Sequence, residues 1–269
     1  MRRPYPQYSS IFYVASEGSS DFNAMEVRYT GHITPSISVW GAYTYSHSID
    51  DQSAFLGDTA DPNFPQNSHN LPAERAPSSF DMRQRFVAAY VLALPHSNRW
   101  TRNTEFQGIA TAESGQPFTP TLPLGDDNSN TGNTGQQAGS DRPNLVGNPY
   151  QSGSIAANPS CVAPAGSTHT AGQWFNPCAF EPAPMNMYGD AGRNSLLGPD
   201  YASFDMSLLR RFTLPERATL TVEAQAFNLF NRPNLALPGT FQGQSNFGVI
   251  SSTGDYNQRQ LQFAARLSF

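Results

Sequence analysis

The 269-residue sequence predicts an all-β fold whose antiparallel strands are joined alternately by short turns and long polar loops. Three observations predict this fold. Only 14% of the residues are charged and 12% are aromatic, a composition that favours strands over helices. Gly and Pro contribute 21 and 22 residues, enough to supply many turns. Seven segments also alternate apolar with polar side chains, which is the period of a strand.

The first predicted hairpin joins strands at 22–30 and 36–46 through a tight turn at 31–35. A polar loop at 47–80 follows. The second strand carries two rows of side chains on its two faces, namely Ile37, Val39, Tyr43 and Tyr45 opposite Ser38, Trp40, Ala42 and Thr44.

The second predicted hairpin joins strands near 81–94 and 100–113 through a turn at 95–98. Both faces of its first strand are fairly apolar, so the pattern assigns its orientation weakly. The two rows are Phe86, Ala88, Tyr90 and Leu92 opposite Arg85, Val87, Ala89 and Val91. Residues 114–200 then hold little strand signal and form a connection far longer than usual.

The last three strands are predicted near 201–212, 217–229 and 257–269, with a turn at 213–216 and a long loop at 230–256. In the middle strand, apolar and polar residues alternate. The two rows are Leu220, Val222, Ala224 and Ala226 opposite Thr219, Thr221, Glu223 and Gln225.

The carboxy-terminal strand alternates most regularly and ends on an aromatic residue. One face carries Leu261, Phe263, Ala265, Leu267 and Phe269, and the other carries Gln262, Ala264, Arg266 and Ser268. In an outer-membrane β-barrel the apolar face contacts lipid, the polar face lines the lumen, and aromatic residues mark the interfaces. We interpret the apolar row with its terminal Phe as a carboxy-terminal outer-membrane signal, which would be read by the barrel-assembly machinery.

The connections support the same interpretation, because every second one is short. Outer-membrane barrels have short periplasmic turns and long extracellular loops. With the carboxy-terminus in the periplasm, the loops at 47–80, 114–200 and 230–256 all lie outside the cell. The predicted location is therefore the outer membrane of a Gram-negative bacterium, in contact with its lipid.

The strand count predicts only part of a barrel. Bacterial single-chain barrels have even strand numbers, and an eighth strand would have to lie in Ser10–Ser16. The first residues lack the apolar region of a signal peptide. We therefore expect residues 1–269 to be the carboxy-terminal part of a larger barrel of which about seven or eight strands are present, with 114–200 as a long extracellular loop.

Several classes of protein are excluded. The net charge is −5 and no run of Lys or Arg occurs, so the sequence predicts no nucleic-acid binding. No stretch of 18 apolar residues could form a transmembrane helix. The mean hydropathy of −0.48 remains compatible with a barrel, because only alternate strand residues need be apolar.

Short motifs in a fixed order resemble the carboxy-terminal barrel region of TonB-dependent receptors, in particular the Oar-like group. In that group a carboxypeptidase-regulatory-like domain and a plug precede the barrel. The matching segments are 22–27, 43–51, 114–118, 175–180, 189–194, 227–234 and the closing Phe269. The sequence shows no TonB box and no plug, so the resemblance implies contact with TonB only through amino-terminal parts that are missing here.

The resemblance implies a receptor that binds a small or oligomeric ligand with its outer loops and transports it across the outer membrane. It implies no cofactor, and we expect no enzyme activity. The alternative from another class is a secreted, soluble β-sandwich that acts as an adhesion or carbohydrate-binding module. A sandwich would hide the inner faces of its two sheets in a core.

Cys161 and Cys178 are the candidate disulfide, because both lie in the longest loop and an oxidising compartment permits the bond. The alternative is two free thiols. A zinc site at these cysteines is disfavoured, because His169 is the only other soft ligand nearby and a structural zinc ion takes four ligands.

Polar residues of the last two strands are candidates for the lumen. They are Glu223, Gln225, Gln260, Gln262 and Arg266. They would form either a permeation surface or charge pairs that fill the interior against a plug, and the second interpretation fits most of them. Predicted interface aromatic residues are Tyr43, Tyr45, Trp100, Phe212 and Phe269.

Two further groups of residues suggest a metal site and a catalytic site. The acidic residues could bind calcium but lack the regular EF-hand spacing, so solvated loop acids are the better interpretation. They are Asp50, Asp51, Asp58, Asp61, Asp126 and Asp127. His47, Ser48 and Asp50 suggest a hydrolase, but no nucleophile-elbow pattern is present, and no residue is a catalytic candidate.

Overall fold

The computed structural model of the protein describes residues 7–8, 15–53, 64–95, 97–99, 101–132, 141–215, 218–254 and 257–269. Twelve strands lie in these ranges. They are β1 Ser20–Thr34, β2 Ile37–Asp50, β3 Ala76–Pro77, β4 Gln84–Ala93, β5 Thr104–Glu113, β6 Pro117–Phe118, β7 Asn144–Leu145, β8 Phe180–Glu181, β9 Leu196–Leu197, β10 Tyr201–Thr213, β11 Thr219–Phe227 and β12 Gln260–Ser268. Two short 3₁₀ helices, Leu71–Glu74 and Pro177–Ala179, complete the elements.

The seven long strands form one antiparallel sheet in the order β1-β2-β4-β5-β10-β11-β12. Each long strand pairs with the next one along the chain, and β3 adds a short eighth strand against β2. The predicted all-β class and the seven predicted strands are confirmed. Within the described residues, no helix is long and apolar enough to cross a membrane.

The strand boundaries differ from the predicted ones at several ends. β1 continues to Thr34, so the predicted turn at 31–35 is wrong and only Pro35 and Ser36 separate β1 from β2. β2 runs on to Asp50 because β1 and then β3 continue to pair with it beyond residue 46. β4 begins at Gln84 and β5 at Thr104, both later than predicted. The candidate eighth strand at 10–16 lies mostly outside the described residues.

The register separates an apolar face from a polar face, because directly paired residues of neighbouring strands share a face. On the apolar face, one line of directly paired residues crosses six strands through Val39, Tyr90, Gly108, Met206, Ala226 and Leu261. The adjacent polar-face row is Ser38, Val91, Gln107, Ser207, Gln225 and Gln262. Gly108 leaves room for the ring of Tyr90, since a Cβ there would lie 2.5 Å from that ring and would displace it.

The apolar face is exposed along its length. Its exposed large side chains include Val27, Tyr29, Phe86, Val222, Leu261, Phe263 and Leu267. On the polar face, the exposed exceptions are Phe22, Trp40, Val91, Ile109 and Phe227. The sheet therefore does not bury its apolar face against a second layer, as a soluble sandwich would.

Ion pairs lie on the polar face. Arg85 is paired with Glu113 across β4 and β5, with Nε 2.7 Å from Oε1. Arg211 of β10 reaches Glu105 of β5 at 2.7 Å, and Arg28 reaches Glu26 within β1 at 2.7 Å. Two charged residues lie on the apolar face, Asp21 near its cap end and Arg210 near its short-turn end. A mainly apolar face opposite a charged one is the arrangement of a strand between lipid and water.

The sheet is open. β1 and β12 each pair along one side only within the described residues, and they do not pair with each other. Their free edges carry unpaired backbone donors and acceptors, which the hydrocarbon layer of a membrane does not tolerate. The sheet therefore needs further strands, or closure of β1 on β12, to stand in a bilayer.

The buried apolar core lies outside the long strands. It is formed by Phe118, Ile155, Phe175, Cys178, Ala179, Phe180, Ala191, Leu196 and Phe247. All of these residues belong to the long connections between strands. The second and third long connections thus pack around a core of their own.

Candidate functional site

The candidate site is the outer-loop cap, which we define as the described residues of the three long connections, 51–53, 64–83, 114–132, 141–200, 228–254 and 257–259. All three connections leave the sheet at the same end, because the long strands are antiparallel and joined in chain order. This end of the sheet therefore carries most of the chain that lies outside the long strands.

A buried ion-pair network joins the first and second long connections. Arg142 binds Glu74 through two hydrogen bonds, Nη1 to Oε2 at 2.6 Å and Nη2 to Oε1 at 3.1 Å. Arg193 donates to the Glu74 carbonyl oxygen at 2.8 Å and pairs with the carboxylate of Asp50. All four side chains are buried. In such a network each charge depends on its partner, because none can reach water.

The segment 189–194, one of the motifs behind the resemblance, supplies the close contacts of this network. A Cβ at Gly189 would lie 1.9 Å from the carbonyl oxygen of Arg142, so only glycine fits there. Asn194 has a positive φ of 50° and donates its side-chain amide to the Pro77 carbonyl at 2.8 Å. The motif therefore holds the longest connection against the first one.

The segment 175–180 builds the centre of the cap. The side chain of Asn176 donates to the carbonyls of Gln151 and Gly153 at 2.8 and 2.7 Å and accepts from the Cys178 N–H. Phe175 and Phe180 pack edge to face, with ring centroids 5.6 Å apart. A buried amide thus satisfies the backbone of a loop that has little regular structure.

Cys161 and Cys178 are joined in a disulfide, with Cα atoms 5.5 Å apart. The structure therefore places the two predicted cysteines together, and no other cysteine exists in the chain. Cys178 lies in the core and Cys161 packs against it, so the bond ties the exposed segment 161–172 to the centre of the cap.

Replacing both cysteines with alanine is expected to destabilise the cap by about 3 kcal/mol, the chain-entropy cost of opening a loop of this length. Pulse proteolysis in increasing urea measures the change. The double variant also supplies the control, because a reducing agent should destabilise the native cap and leave the variant unchanged. Equal protease resistance of the oxidised and reduced native protein would contradict the prediction.

The segment 227–234 closes the last hairpin at the same end. Asn228 has a φ of 47°, donates to the carbonyls of Arg232 and Asn257, and accepts from the Arg232 N–H at 3.0 Å. The backbone N–H of Asn228 donates to Asp205 of β10 at 2.8 Å. Asn234 accepts from the Ala202 N–H at 3.0 Å. These asparagines fix the third connection onto β10.

The structure directs His47, Ser48 and Asp50 to different partners. His47 lies between Asp81, with Nδ1 2.9 Å from Oδ2, and Arg83, whose Nη2 lies 3.0 Å from Nε2. Because a guanidinium only donates, Nε2 accepts and Nδ1 carries the proton. The Ser48 hydroxyl accepts from Ser78 at 2.8 Å, and Asp50 pairs with Arg193. These contacts hold β2 to the cap and do not form a triad.

The interpretation of the loop acids as solvated is wrong for Asp50, which is 3% exposed and paired with Arg193. Asp127 accepts from the N–H groups of Thr131 and Gly132 at 2.9 and 2.8 Å, and these hydrogen bonds stabilise the turn at 127–132. Asp58 and Asp61 lie outside the described residues. Within the described part of the chain, no three His, Cys, Asp or Glu side chains are grouped to hold a metal.

An aromatic cluster covers one side of the core. His169, with a φ of 63°, stacks on Tyr150 at 4.8 Å and meets Trp174 edge-on at 5.3 Å. The Trp174 indole donates to the Leu197 carbonyl at 2.7 Å. Burial raises the pKa of the Tyr150 hydroxyl, which accepts from the Leu197 N–H at 3.0 Å. His169 thus packs on aromatic rings.

The register places the five lumen candidates on one face. Gln225 pairs with Gln262, and Glu223 pairs with Ala264, whose neighbours two residues away on the same face are Gln262 and Arg266. Gln260 lies two residues before Gln262 and pairs with Phe227, which lies two residues after Gln225, so Gln260 is on the same face. Leu261, Phe263, Ala265, Leu267 and Phe269 belong to the opposite row. A lining role for the first set and an assembly-signal role for the second stay predictions.

The predicted interface aromatics lie towards the two ends of the strands. Tyr43 lies in the middle of β2 and Tyr45 lies nearer its cap end, both on the apolar face. Phe212 and the fully exposed Phe269 are near the short-turn end. Trp100 lies outside the described residues. Their role as a girdle stays a prediction.

Glu74, Arg142 and Asn176 are among the most buried polar residues of the cap and were not predicted from the sequence. Glu74 and Arg142 are 68 residues apart, so no local pattern links them. A signal was present for Asn176, since it lies in the segment 175–180 between Phe175 and the Pro-Cys pair. A polar residue among apolar ones in a long loop indicates a buried side chain that bonds the backbone.

An antiparallel sheet with an exposed apolar face, charges on its other face and a packed cap at one end defines an outer-membrane β-barrel protein. Residues 1–262 match the family described as "Outer membrane beta barrel domain", and the chain belongs to that family. Its location is the outer membrane. A search of the curated proteins and a search of the solved structures each found no match.

Proposed function

We propose that this chain is the ligand-recognising part of a TonB-dependent receptor, which binds its ligand at the outer-loop cap and imports it across the outer membrane. The observation that carries the proposal is the cap itself. Its second and third connections share a buried core, a buried ion-pair network ties the second connection to the first, and a disulfide closes part of the second. A pore that only admits solutes by diffusion does not need such a rigid outer body, whereas a binding surface does.

The open sheet supports a larger barrel. Unpaired strand edges are not stable in hydrocarbon, so β1 and β12 need partners. In the proposed receptor, further strands complete the wall and a plug fills the lumen. The ion pairs Arg85–Glu113 and Arg211–Glu105 then line the interior that the plug would contact.

Cross-linking in intact cells tests the TonB-dependent part of the proposal. Formaldehyde treatment followed by immunoprecipitation of TonB should recover the native polypeptide that contains this sequence. A receptor already known to contact TonB in the same cells is the positive control. Recovery of the control without this protein would contradict TonB coupling and leave the outer-membrane barrel in place.

The alternative soluble sandwich is disfavoured by the position of the core. The buried apolar side chains of the described residues lie in the cap, and the apolar row of β12 is exposed. A sandwich of these strands would have to cover that row with a second sheet, but the other two sheets described contain only two strands each.

A further inference from the structure

A pocket of about 480 Å³ lies in the cap between the disulfide-tied segment and the third long connection. Its volume is within the range of small-molecule sites. Cys161 and Ser160 line one wall, and Gln242 and Gln244 line the other. The pocket therefore lies where two independent connections meet, at the end of the sheet that faces outward.

The backbone around the pocket is held in place. The Asn158 amide donates to the Cys178 carbonyl at 3.2 Å and anchors the wall that carries the disulfide. On the other wall, the N–H of Gln242 donates to the Thr121 carbonyl at 2.8 Å, and the N–H of Phe247 donates to the Gln244 carbonyl at 3.0 Å. A preorganised wall reduces the entropy that a ligand must offset on binding.

The floor is apolar. Phe180 and Phe247 close the bottom of the pocket and meet edge to face at 5.6 Å, but they are only 2% and 5% exposed. The apolar surface that a ligand can reach is supplied by the half-buried Pro177 and the exposed Pro182. Such a floor suits a ligand that has an apolar face, because contact removes that face from water.

The side chains above the floor are available for a ligand. The side chains of Gln242, Gln244 and Glu181 make no hydrogen bond to another part of the described chain, although all three line the pocket. Two amides offer both donors and acceptors, and the carboxylate offers acceptors. Hydroxyl groups can both donate to and accept from this set.

The charge of the lining selects against anions. Glu181 is its one charged residue, and no Lys, Arg or His is among the residues that line the pocket. A phosphate, a uronic acid or a carboxylate-bearing chelate would meet a like charge with no cation to compensate. A neutral, hydroxyl-rich molecule with an apolar ring face satisfies the floor and the walls together.

We propose that this pocket is a subsite for a neutral saccharide ring, an inference that specifies the ligand class of the receptor function proposed above. The apolar side of the ring would lie over Pro177 and Pro182, above the buried Phe180 and Phe247. Gln242 and Gln244 would hydrogen-bond its hydroxyl groups, and Glu181 would accept a further hydroxyl and exclude acidic sugars.

The test uses the full-length native protein in detergent on an array of neutral oligosaccharides and their uronic-acid counterparts. The native protein should bind at least one neutral oligosaccharide and discriminate against its acidic counterpart. Gln242→Ala combined with Gln244→Ala should weaken that binding about tenfold or more, the loss expected for two hydrogen bonds. Gln258→Ala is the matched control, since Gln258 is an exposed cap glutamine outside the pocket, and it should bind normally. Glu181→Gln should relieve the discrimination against the acidic counterpart.

Three results would overturn the subsite. They are no binding to any neutral oligosaccharide, a preference for acidic ones, and neutral binding that the double glutamine variant leaves intact. The TonB cross-link distinguishes the two proposals. A positive cross-link without saccharide binding removes the subsite and keeps the receptor. Glutamine-dependent saccharide binding without a cross-link keeps the subsite and removes TonB-driven uptake.

Discussion

Replacing Glu74 with alanine is expected to destabilise the outer-loop cap by about 3–5 kcal/mol, because it leaves Arg142 buried without its partner. Glu74 is 1% exposed and its carboxylate also accepts from the Gln66 N–H at 3.1 Å. The change therefore removes one charge and three hydrogen-bond acceptor contacts in a region that water cannot reach. Urea unfolding followed by pulse proteolysis of the cap measures the loss.

The next residue provides the matched control. Arg75 forms an ion pair with Asp21, but both side chains are substantially exposed. Exposed pairs contribute about 0–1 kcal/mol, so Arg75→Ala should leave cap stability nearly unchanged. If Glu74→Ala and Arg75→Ala had the same small effect, the network would not hold the first and second connections together. The strands should keep their β-sheet circular dichroism in both variants, because the network lies outside the sheet.

Ala224→Arg is expected to destabilise the membrane-inserted protein by about 2–4 kcal/mol, the cost of a cation on the lipid face near the middle of the bilayer. Ala224 lies near the centre of β11, in the apolar row with Leu208 and Phe263. Reversible folding into lipid vesicles, followed by denaturant titration, measures the free energy of insertion.

The neighbouring residue on the other face is the control. Gln225 pairs with Ser207 and Gln262 and donates to Glu223 at 2.7 Å. An arginine there keeps a donor beside Glu223 and lies on the polar side, so Gln225→Arg should be tolerated. The assignment of the two faces would be contradicted if Gln225→Arg were the more costly of the two substitutions.

The strands could be predicted from the sequence because each carries its own evidence. Alternation in β12 and β11 assigns both the strand and its faces, since the side-chain period is local. In β4 both rows are apolar, and only pairing with β2 and β5 assigns Phe86 and Tyr90 to the apolar face. The ends of the strands were less predictable, because a strand ends where its pairing partner ends. β2 ends at Asp50, which is also the last of its residues to pair with β3.

The cap could be predicted only in part. The sequence predicts that long connections share one end of the sheet and that Cys161 and Cys178 are close. It does not predict the core or the network, because their members are far apart along the chain. Arg193 reaches Asp50 over 143 residues, and the pocket forms only where Phe180 meets Phe247. Loop sequences lack the periodicity that would indicate which side chains are buried.

We expect the strands to cross the outer membrane with the cap outside and the short turns inside, and single-cysteine labelling of intact cells measures this orientation. Ser167 is exposed in the cap and Ser97 is exposed in the short connection between β4 and β5. The native cysteines are bonded to each other and do not react with a maleimide. A membrane-impermeant maleimide should label Ser167→Cys in intact cells and Ser97→Cys only after the outer membrane is permeabilised. Labelling of Ser97→Cys in intact cells, with Ser167→Cys protected, would contradict the account.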